Sequence, residues 1–446
     1  MRSVLALQER LSAPLYLVGG AVRNELLGLP ISDIDVCSSL PALTVKEELG
    51  EAFSVRDVNP RIGTVKIAFG EEYYEYTQFR RDSYPVSSGA HRPLEVEFVS
   101  SPEEDAFRRD FTVNALYKRV SDGVILDPTG GLADLENKIL RTTRSPEEVF
   151  SEDGLRLLRL VRFASELGFE IEEGTFLAAK KYAGLLADIS PERIREEFMK
   201  ILLADVKYGV SGAVFRGLEL CREIGLYEYF LPELLEGIGV EQKSAYHKYD
   251  VYYHTLHTVE AAPPGLRLAA LLHDIGKPLC VRRDGNMYYH SLESAEMAEK
   301  ILLRLRFPKK EIAWLKEIVR WHMFDFNGQA SENKKRQFVV REWDYLEDIV
   351  ALKNADSVGT GYFKENEFGN YLLSLKKKLK EEGVPTSIRA LPVKGADLIR
   401  LGVPEEKRST VLRVLLERLA IEGVKRDRES ALREAERIAK ETEEEN

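Results

Sequence analysis

The sequence predicts an α+β head of about 140 residues followed by an all-α remainder. Two observations carry that prediction. Runs rich in aromatic and β-branched residues, bounded by Gly, Pro and Ser, are confined to the first part of the chain. Beyond about residue 140 the apolar residues recur at helical spacing, with breaks at Pro263-Pro264, Pro278, Pro308 and Gly383. No internal repeat is visible. The 446 residues suffice for roughly two to four domains, and the change of pattern places one boundary near residue 140.

In the head, "PLYLV" (14–18), "DIDVC" (33–37), "TVKIAF" (64–69), "YYEYTQF" (73–79) and "LEVEFV" (94–99) read as strands. A helix at 21–27 joins the first two. "RRDSYPVSSGAHRP" (80–93) reads as a mobile loop on its Ser, Gly and Pro content. In the remainder, "SEDGLRLLRLVRFASELGF" and "SPERIREEFMKILL" are helices opened by Ser151 and Ser190, with Pro191 suited to a first helical turn. The acidic end "KETEEEN" reads as frayed and solvated.

Composition narrows the function classes. Hydrophobic residues make up 44%, enough for large cores, yet no run of about 18 apolar residues exists, so no membrane span is expected. The N-terminal apolar run is too short for a secretory signal. Three scattered cysteines, Cys37, Cys221 and Cys280, fit a reducing cytoplasm rather than a disulfide framework. A net charge of -10 excludes a simple basic coat for nucleic acid, so any contact with one must come from local patches.

Asp33 and Asp35 lie two apart on a strand and therefore share a face. Two such carboxylates repel unless a cation joins them, and Mg²⁺ takes one or two carboxylates together with substrate phosphates. Upstream, Gly19-Gly20 allows backbone N–H groups to approach an anion, the next helix offers its N-terminus, and Arg23 lies one turn in. In "EEDAFRRDFTVNAL" the consecutive Arg108, Arg109 and Asp110 cannot share one helical face, so at least one turns inward. Arg109 is placed to clamp a triphosphate, and Asp110 to hold Arg109 or a ribose hydroxyl.

Between Leu155 and Phe163 every residue except Arg156, Arg159 and Arg162 is apolar. A helix apolar nearly all round is buried, and buried guanidinium groups must be paired. Asp153, Arg156, Arg159 and Arg162 recur every three residues, a stripe suited to lining a cleft. Asp153 can accept from the amino group of cytosine or adenine while Arg156 donates to the ring acceptor beside it. Uracil and guanine present a carbonyl to the carboxylate, which is repulsive, so the pair selects C and A without a nucleic-acid template.

"LVGGAVRN…DID", "RRDFTVNAL" and "EDGLRLLRLVRF", in this order, resemble the bacterial (class II) tRNA nucleotidyltransferases, the CCA-adding enzymes, close kin of bacterial poly(A) polymerases. The resemblance runs over about the first 260 residues and recurs in the tail. It implies a polymerase-β-like nucleotidyltransferase head at 1–140, a helical neck and body at 141–245, an HD domain at 246–360 and a tRNA-binding tail at 361–446. It implies further that Asp33 and Asp35 bind Mg²⁺ and that Gly20, Arg23, Arg109 and Asp110 serve the nucleotide. Asp153 and Arg156 would be the amino-acid template, with Arg159 and Arg162 completing the pocket. The implied activity is addition of C and A, or of A only, to the tRNA 3′ end from CTP and ATP by two-metal phosphoryl transfer. The loop at 80–93, with Arg80 and Asp82, matches the one that helps switch to A addition. One departure is Asn24, where the family has Asp; Asn accepts a hydrogen bond but carries no charge. Another is His91, where an Arg is usual.

All but one of the seven histidines lie between 247 and 322. His254, "LLHDIGKP" with His273 and Asp274, and "NADSVG" with Asp356 resemble the HD phosphohydrolases, with His290 and His322 nearby. Imidazole and carboxylate suit a second, divalent transition metal. Lysines and arginines at 376–380 and 425–437 are expected to grip the tRNA body. The competing expectations are a poly(A) polymerase and a protein acting mainly as an HD phosphohydrolase on RNA 3′ ends.

Overall fold

The computed structural model describes residues 2–83, 95–325, 328–362 and 367–444. The chain divides into two compact units, Met1–Leu235 and Glu236–Asn446.

The first unit opens with helix Arg2–Arg10, and its strands are β1 (Tyr16–Val18), β2 (Ile34–Ser38), β3 (Ser54–Asn59), β4 (Thr64–Phe69) and β5 (Glu72–Gln78). Next come β6 (Arg80–Ser83), β7 (Glu95–Phe98), β8 (Tyr117–Arg119) and β9 (Ile125–Leu126). Seven of these form one mixed sheet in the order β3-β4-β5-β2-β1-β8-β9. β2 and β5 run parallel; the other neighbours are antiparallel. β4 and β5 alternate buried and open positions, with Val65, Ile67, Tyr74 and Tyr76 turned into the core. Tyr16, Val18, Cys37, Phe79, Ala106, Ala115 and Tyr117 form a cluster beneath β1 and its neighbours. That cluster fixes the ends of β1 and β2, from which the charged residues project.

Strands β3, β8 and β9 are not evident in the sequence. β3 is mostly open to solvent, and β8 and β9 are too short to show a period. The run at 94–99 does form a strand, but β7 pairs with β6 in a separate ribbon, Arg80 opposite Phe98 and Asp82 opposite Val96. The segment expected to be a loop at 80–93 therefore begins as strand. An Arg80–Asp82 ion pair of 3.0 Å and an Arg80 bond to the Ile62 carbonyl of 2.6 Å tie it down. Residues 84–94, including His91, lie outside the described residues.

Helices dominate after residue 140, with one exception. A short parallel pair joins β10 (Ile139–Leu140) to β11 (Glu170–Ile171). From sequence alone Ser151 caps the arginine-bearing helix; in the structure it lies inside another helix, Pro146–Glu152. Ser145 caps that helix by accepting from the Glu148 N–H, and Pro146 occupies its first turn. Pro after Ser is the stronger start signal. The chain then breaks at Asp153, and the arginine-bearing helix runs Leu155–Leu167. Ser190 does precede helix Pro191–Leu202, without a side-chain cap bond.

The second unit is helical throughout its described residues. Its last helix, Arg428–Glu444, takes in part of the acidic end expected to fray, because Arg418 pairs with Glu434 and Glu441 and holds it down. Several cations of the tail are likewise engaged: Lys376 with Glu347 at 2.6 Å and Arg428 with Asp397 at 2.8 Å. No described helix is long and apolar enough to cross a membrane. Cys37, Cys221 and Cys280 are buried and free.

The capping assignment is testable by denaturant unfolding. Ser145→Ala is expected to cost about 0.5–1 kcal/mol, while Ser151→Ala, exposed inside its helix, stays within about 0.5 kcal/mol of the parent.

Candidate functional site

β1 ends at Val18, opposite Asp35, and the chain turns at Gly19 into helix Gly20–Leu27. Gly19 has φ 68° and ψ -128°. A Cβ there would stand 3.6 Å from an Arg109 guanidinium nitrogen and 3.7 Å from Asp35 Oδ2. The conformational demand thus falls on Gly19, next to Gly20, which the family resemblance implies contacts the nucleotide. Asp33 is exposed just ahead of β2 and accepts from Ser32 Oγ at 2.8 Å. Asp35 is half-buried. Burial raises its carboxyl above the ordinary value, Glu75 and Asp33 add to the rise, and Arg109 opposes it. Two hard oxygen donors under mutual repulsion fit a divalent cation such as Mg²⁺.

Arg109 is not held by Asp110, as the sequence suggests. Its guanidinium donates to Asp105 at 3.2 Å and to Tyr117 Oη at 2.9 Å. Asp105, fully buried, also accepts from Arg108 at 2.7 Å and from Tyr117 at 2.6 Å. Burial alone would raise the Asp105 carboxyl, but Arg108 and Arg109 overcome it and bring it down to about 2. The i,i+4 spacing of Asp105 and Arg109 is the signal in the sequence that identifies this pair.

Asp110 instead takes Arg159 at 2.6 Å, the Phe111 N–H at 2.8 Å and Asn114 Nδ2 at 3.2 Å. It too reaches about 2, with the Arg159 charge outweighing burial. Asn114 turns its Oδ1 to Arg23, whose guanidinium also donates to Asn24 Oδ1 at 3.1 and 2.9 Å and to Tyr208 Oη at 3.3 Å.

On the arginine-bearing helix the guanidinium groups have acceptors, as burial requires. Arg156 donates to the carbonyls of Val149 at 2.9 Å and Arg108 at 2.8 Å and to Glu152 at 2.8 Å. Arg162 pairs with Glu197 at 3.0 Å. Asp153 accepts from Arg193 at 2.7 Å and from the Leu155 N–H at 3.0 Å. Arg23, Arg159 and Arg162 lie 5.2, 5.3 and 4.3 Å from the Phe163 ring centre, a shared cation–π platform. Phe163 reads in the sequence only as one more apolar core residue. Arg193, Glu197 and Tyr208 lie far along the chain from the motifs they serve, and Asn114, within RRDFTVNAL, also serves Arg23, 91 positions away.

In the second unit His254, His273, Asp274 and Asp356 converge. His254 Nε2 lies 3.2 Å from Asp274 and 3.0 Å from Asp356, and His273 Nε2 lies 3.1 Å from Asp274. His290 and His322 join them: their Nε2 atoms are 3.1 and 3.9 Å from Asp274 Oδ1. The Nδ1 atoms of His273, His290 and His322 each face a carbonyl three residues back, at 2.7, 2.8 and 2.6 Å. Nδ1 then carries the proton and Nε2 offers its lone pair to the cluster. Both Asp274 oxygens and the Nε2 atoms of His290 and His322 are buried without a hydrogen bond of ordinary geometry. Three overlapping His/Asp triplets are spaced to hold a metal ion, and the donor set fits one. Burial, with His273 and His290 beside it, holds His322 down to about 3.

Gly359 makes this convergence possible. A Cβ on it would stand 2.1 Å from Thr258 Oγ1, so helices Val251–Ala261 and Leu346–Gly359 can touch only without one. Gly359→Ala is expected to destabilise the second unit by about 1–3 kcal/mol and to lower its bound metal, measured by elemental analysis. In the first unit the depressed carboxylates set an acid limit. Their stabilisation is complete above the ordinary carboxylate pKa and is lost as pH falls from about 4 through about 2. Asp110→Asn is expected to flatten that limb in pH-dependent unfolding and to cost on the order of 2 kcal/mol near neutrality.

Comparisons with known proteins agree with this geometry. Residues 15–141 match the family described as Poly A polymerase head domain, residues 168–237 the probable RNA and SrmB-binding site of polymerase A, and residues 244–349 the HD domain. A CCA-adding enzyme of Ligilactobacillus salivarius is 47% identical over 189 residues, 42% of this chain and 45% of that enzyme. The chain spans about half the length of the first CCA-adding enzymes it matches. A CC-adding tRNA nucleotidyltransferase of Thermus thermophilus is 34% identical over 365 residues, 77% of this chain and 76% of that one. The Bacillus stearothermophilus CCA-adding enzyme in complex with CTP superposes with a TM-score of 0.69 at 26% identity, covering 100% of this chain and 98% of that one. Divalent metal use is a property of such nucleotidyltransferases, and the match over three quarters of the Thermus relative settles the kinship: the chain belongs to the tRNA nucleotidyltransferase and poly(A) polymerase family.

Proposed function

We propose that this chain is a tRNA nucleotidyltransferase that adds C and A to the tRNA 3′ end from CTP and ATP without a nucleic-acid template. The observation that carries the proposal is the hydrogen-bonded link from Arg23 through Asn114 and Asp110 to Arg159. It joins a triphosphate cradle to a base-reading helix. The kinship with CCA-adding and CC-adding enzymes supports it. The buried free cysteines suit a cytoplasmic setting.

Asp33 and Asp35 would hold Mg²⁺, which when bound activates the attacking hydroxyl and neutralises the triphosphate. Arg23 and Arg109, with the N-terminus of helix Gly20–Leu27, bind the phosphates. Asp110 keeps Arg159 at the pocket wall, and Arg162 and Phe163 complete it. Asp153, oriented by Arg193, accepts from the amino group of cytosine or adenine, and Arg156 donates beside it.

The intact His/Asp cluster favours a second activity, hydrolysis of a phosphoester, for which His254, His273, Asp274 and Asp356 would hold a divalent transition metal, with His290 and His322 adding donors around Asp274.

The test supplies tRNA ending at the discriminator base, at C or at CC, with each nucleoside triphosphate singly and Mg²⁺. Sequential C, C and A incorporation is expected. A alone on the CC end identifies an A-adding specialist, long A runs a poly(A) polymerase, and no incorporation removes the transferase reading. Asp153→Ala is expected to lose discrimination against UTP and GTP by about tenfold to a hundredfold. The KM for CTP should rise much less; unchanged selectivity would refute the template role.

A further inference from the structure

We propose that Tyr208 is a positioning residue for Arg23, and that with Asn24 and Asn114 it forms a clamp that fixes the guanidinium in place for the triphosphate. This rests on the transferase reading above. Arg23 is 2% exposed. A guanidinium buried that deeply ordinarily faces a carboxylate. Here, among the described residues, every group that hydrogen-bonds to it is neutral: Asn24 Oδ1, Asn114 Oδ1 and Tyr208 Oη. Phe163 closes one side. Glu166 attracts Arg23 through space and Arg162 repels it. A cation so placed has its geometry fixed, and a polyphosphate meets it already oriented.

Asn24 cannot hold Arg23 in this way unaided. One amide oxygen receives both Nε and a terminal nitrogen of the guanidinium, so the amide must be prevented from turning over. Two contacts prevent it: Asn24 Nδ2 donates to the Pro30 carbonyl at 2.7 Å and to Tyr208 Oη at 2.9 Å. Tyr208 therefore acts twice, accepting from Arg23 and anchoring the residue that orients Arg23. It reaches in from the end of helix Ala204–Tyr208, far along the chain from the elbow. A carboxylate at position 24 would present two equivalent oxygens and would need no such anchor.

The experiment compares the parent protein with Tyr208→Phe, Asn24→Asp and the double variant in steady-state CTP incorporation on tRNA, with thermal unfolding in parallel. Tyr208→Phe is expected to raise the KM for CTP by about tenfold, the size of one hydrogen bond to a charged group. Its kcat should hold within about twofold, since Tyr208 touches no reacting atom. Asn24→Asp in the Tyr208→Phe background should bring KM back toward the parent value. An unchanged KM, a fall in kcat alone, or a failure of Asn24→Asp to restore KM would overturn the clamp. If the parent incorporates nothing, the transferase reading falls instead. The same four proteins are then compared by equilibrium dialysis with Mg–CTP, where equal dissociation constants for the parent and Tyr208→Phe would overturn the clamp as well.

Discussion

A guanidinium removed from water obliges the fold to supply acceptors, and the first unit meets that obligation with one continuous chain of polar contacts. It runs from Tyr208 to Arg23, through Asn114 to Asp110, and on to Arg159. The elbow at Gly19, the short turn around Asn114 and the helix Leu155–Leu167 meet along it. Removing one member leaves a buried partner unsatisfied, which costs more than the lost bond itself. The site is therefore positioned by mutual need among charged groups rather than by apolar packing alone. Phe163 contributes what an apolar residue can, an aromatic face against which three guanidinium groups gather.

The second unit solves a related problem with the opposite sign. Asp274 is a buried carboxylate at the centre of four imidazoles and one ammonium group, with Lys277 against its Oδ2 and His290 against its Oδ1. The cluster concentrates donor atoms whose lone pairs converge, and a metal ion is the partner that such convergence suits. The close contact of Gly359 with Thr258 makes it possible to bring residues 102 positions apart, His254 and Asp356, within 3.0 Å.

Much of this was legible in the sequence where chemistry and spacing coincide. The Asp33–Asp35 pair sits at the start of β2, Arg156 and Arg162 of the arginine stripe are buried and Arg159 is half-buried, each of them paired, and the histidines gather as their neighbouring aspartates suggest. What escaped was decided by tertiary contact. Arg109 belongs to Asp105 rather than Asp110, because the turn that follows helix Pro102–Ala106 brings residues 105 and 109 together while Asp110 faces Arg159. Ser151 lost its capping role to Ser145-Pro146. β8 and β9 extend the sheet although neither is long enough to display a period. Tyr208 gave no local signal at all, since its role depends on a helix more than 180 positions beyond Arg23.

The histidines of the second unit carry two duties at once. His273 and His322 are the residues at which helices Arg267–Leu272 and Lys309–Trp321 end. Through Nδ1 each satisfies a carbonyl of the last turn that the helix itself leaves unpaired. The ring that would ligate an ion is thus also the stopper of its own helix. Occupancy of the cluster and order at these two helix ends become linked quantities: an ion that fixes the rings stabilises both termini, and fraying of either terminus weakens the ion's hold.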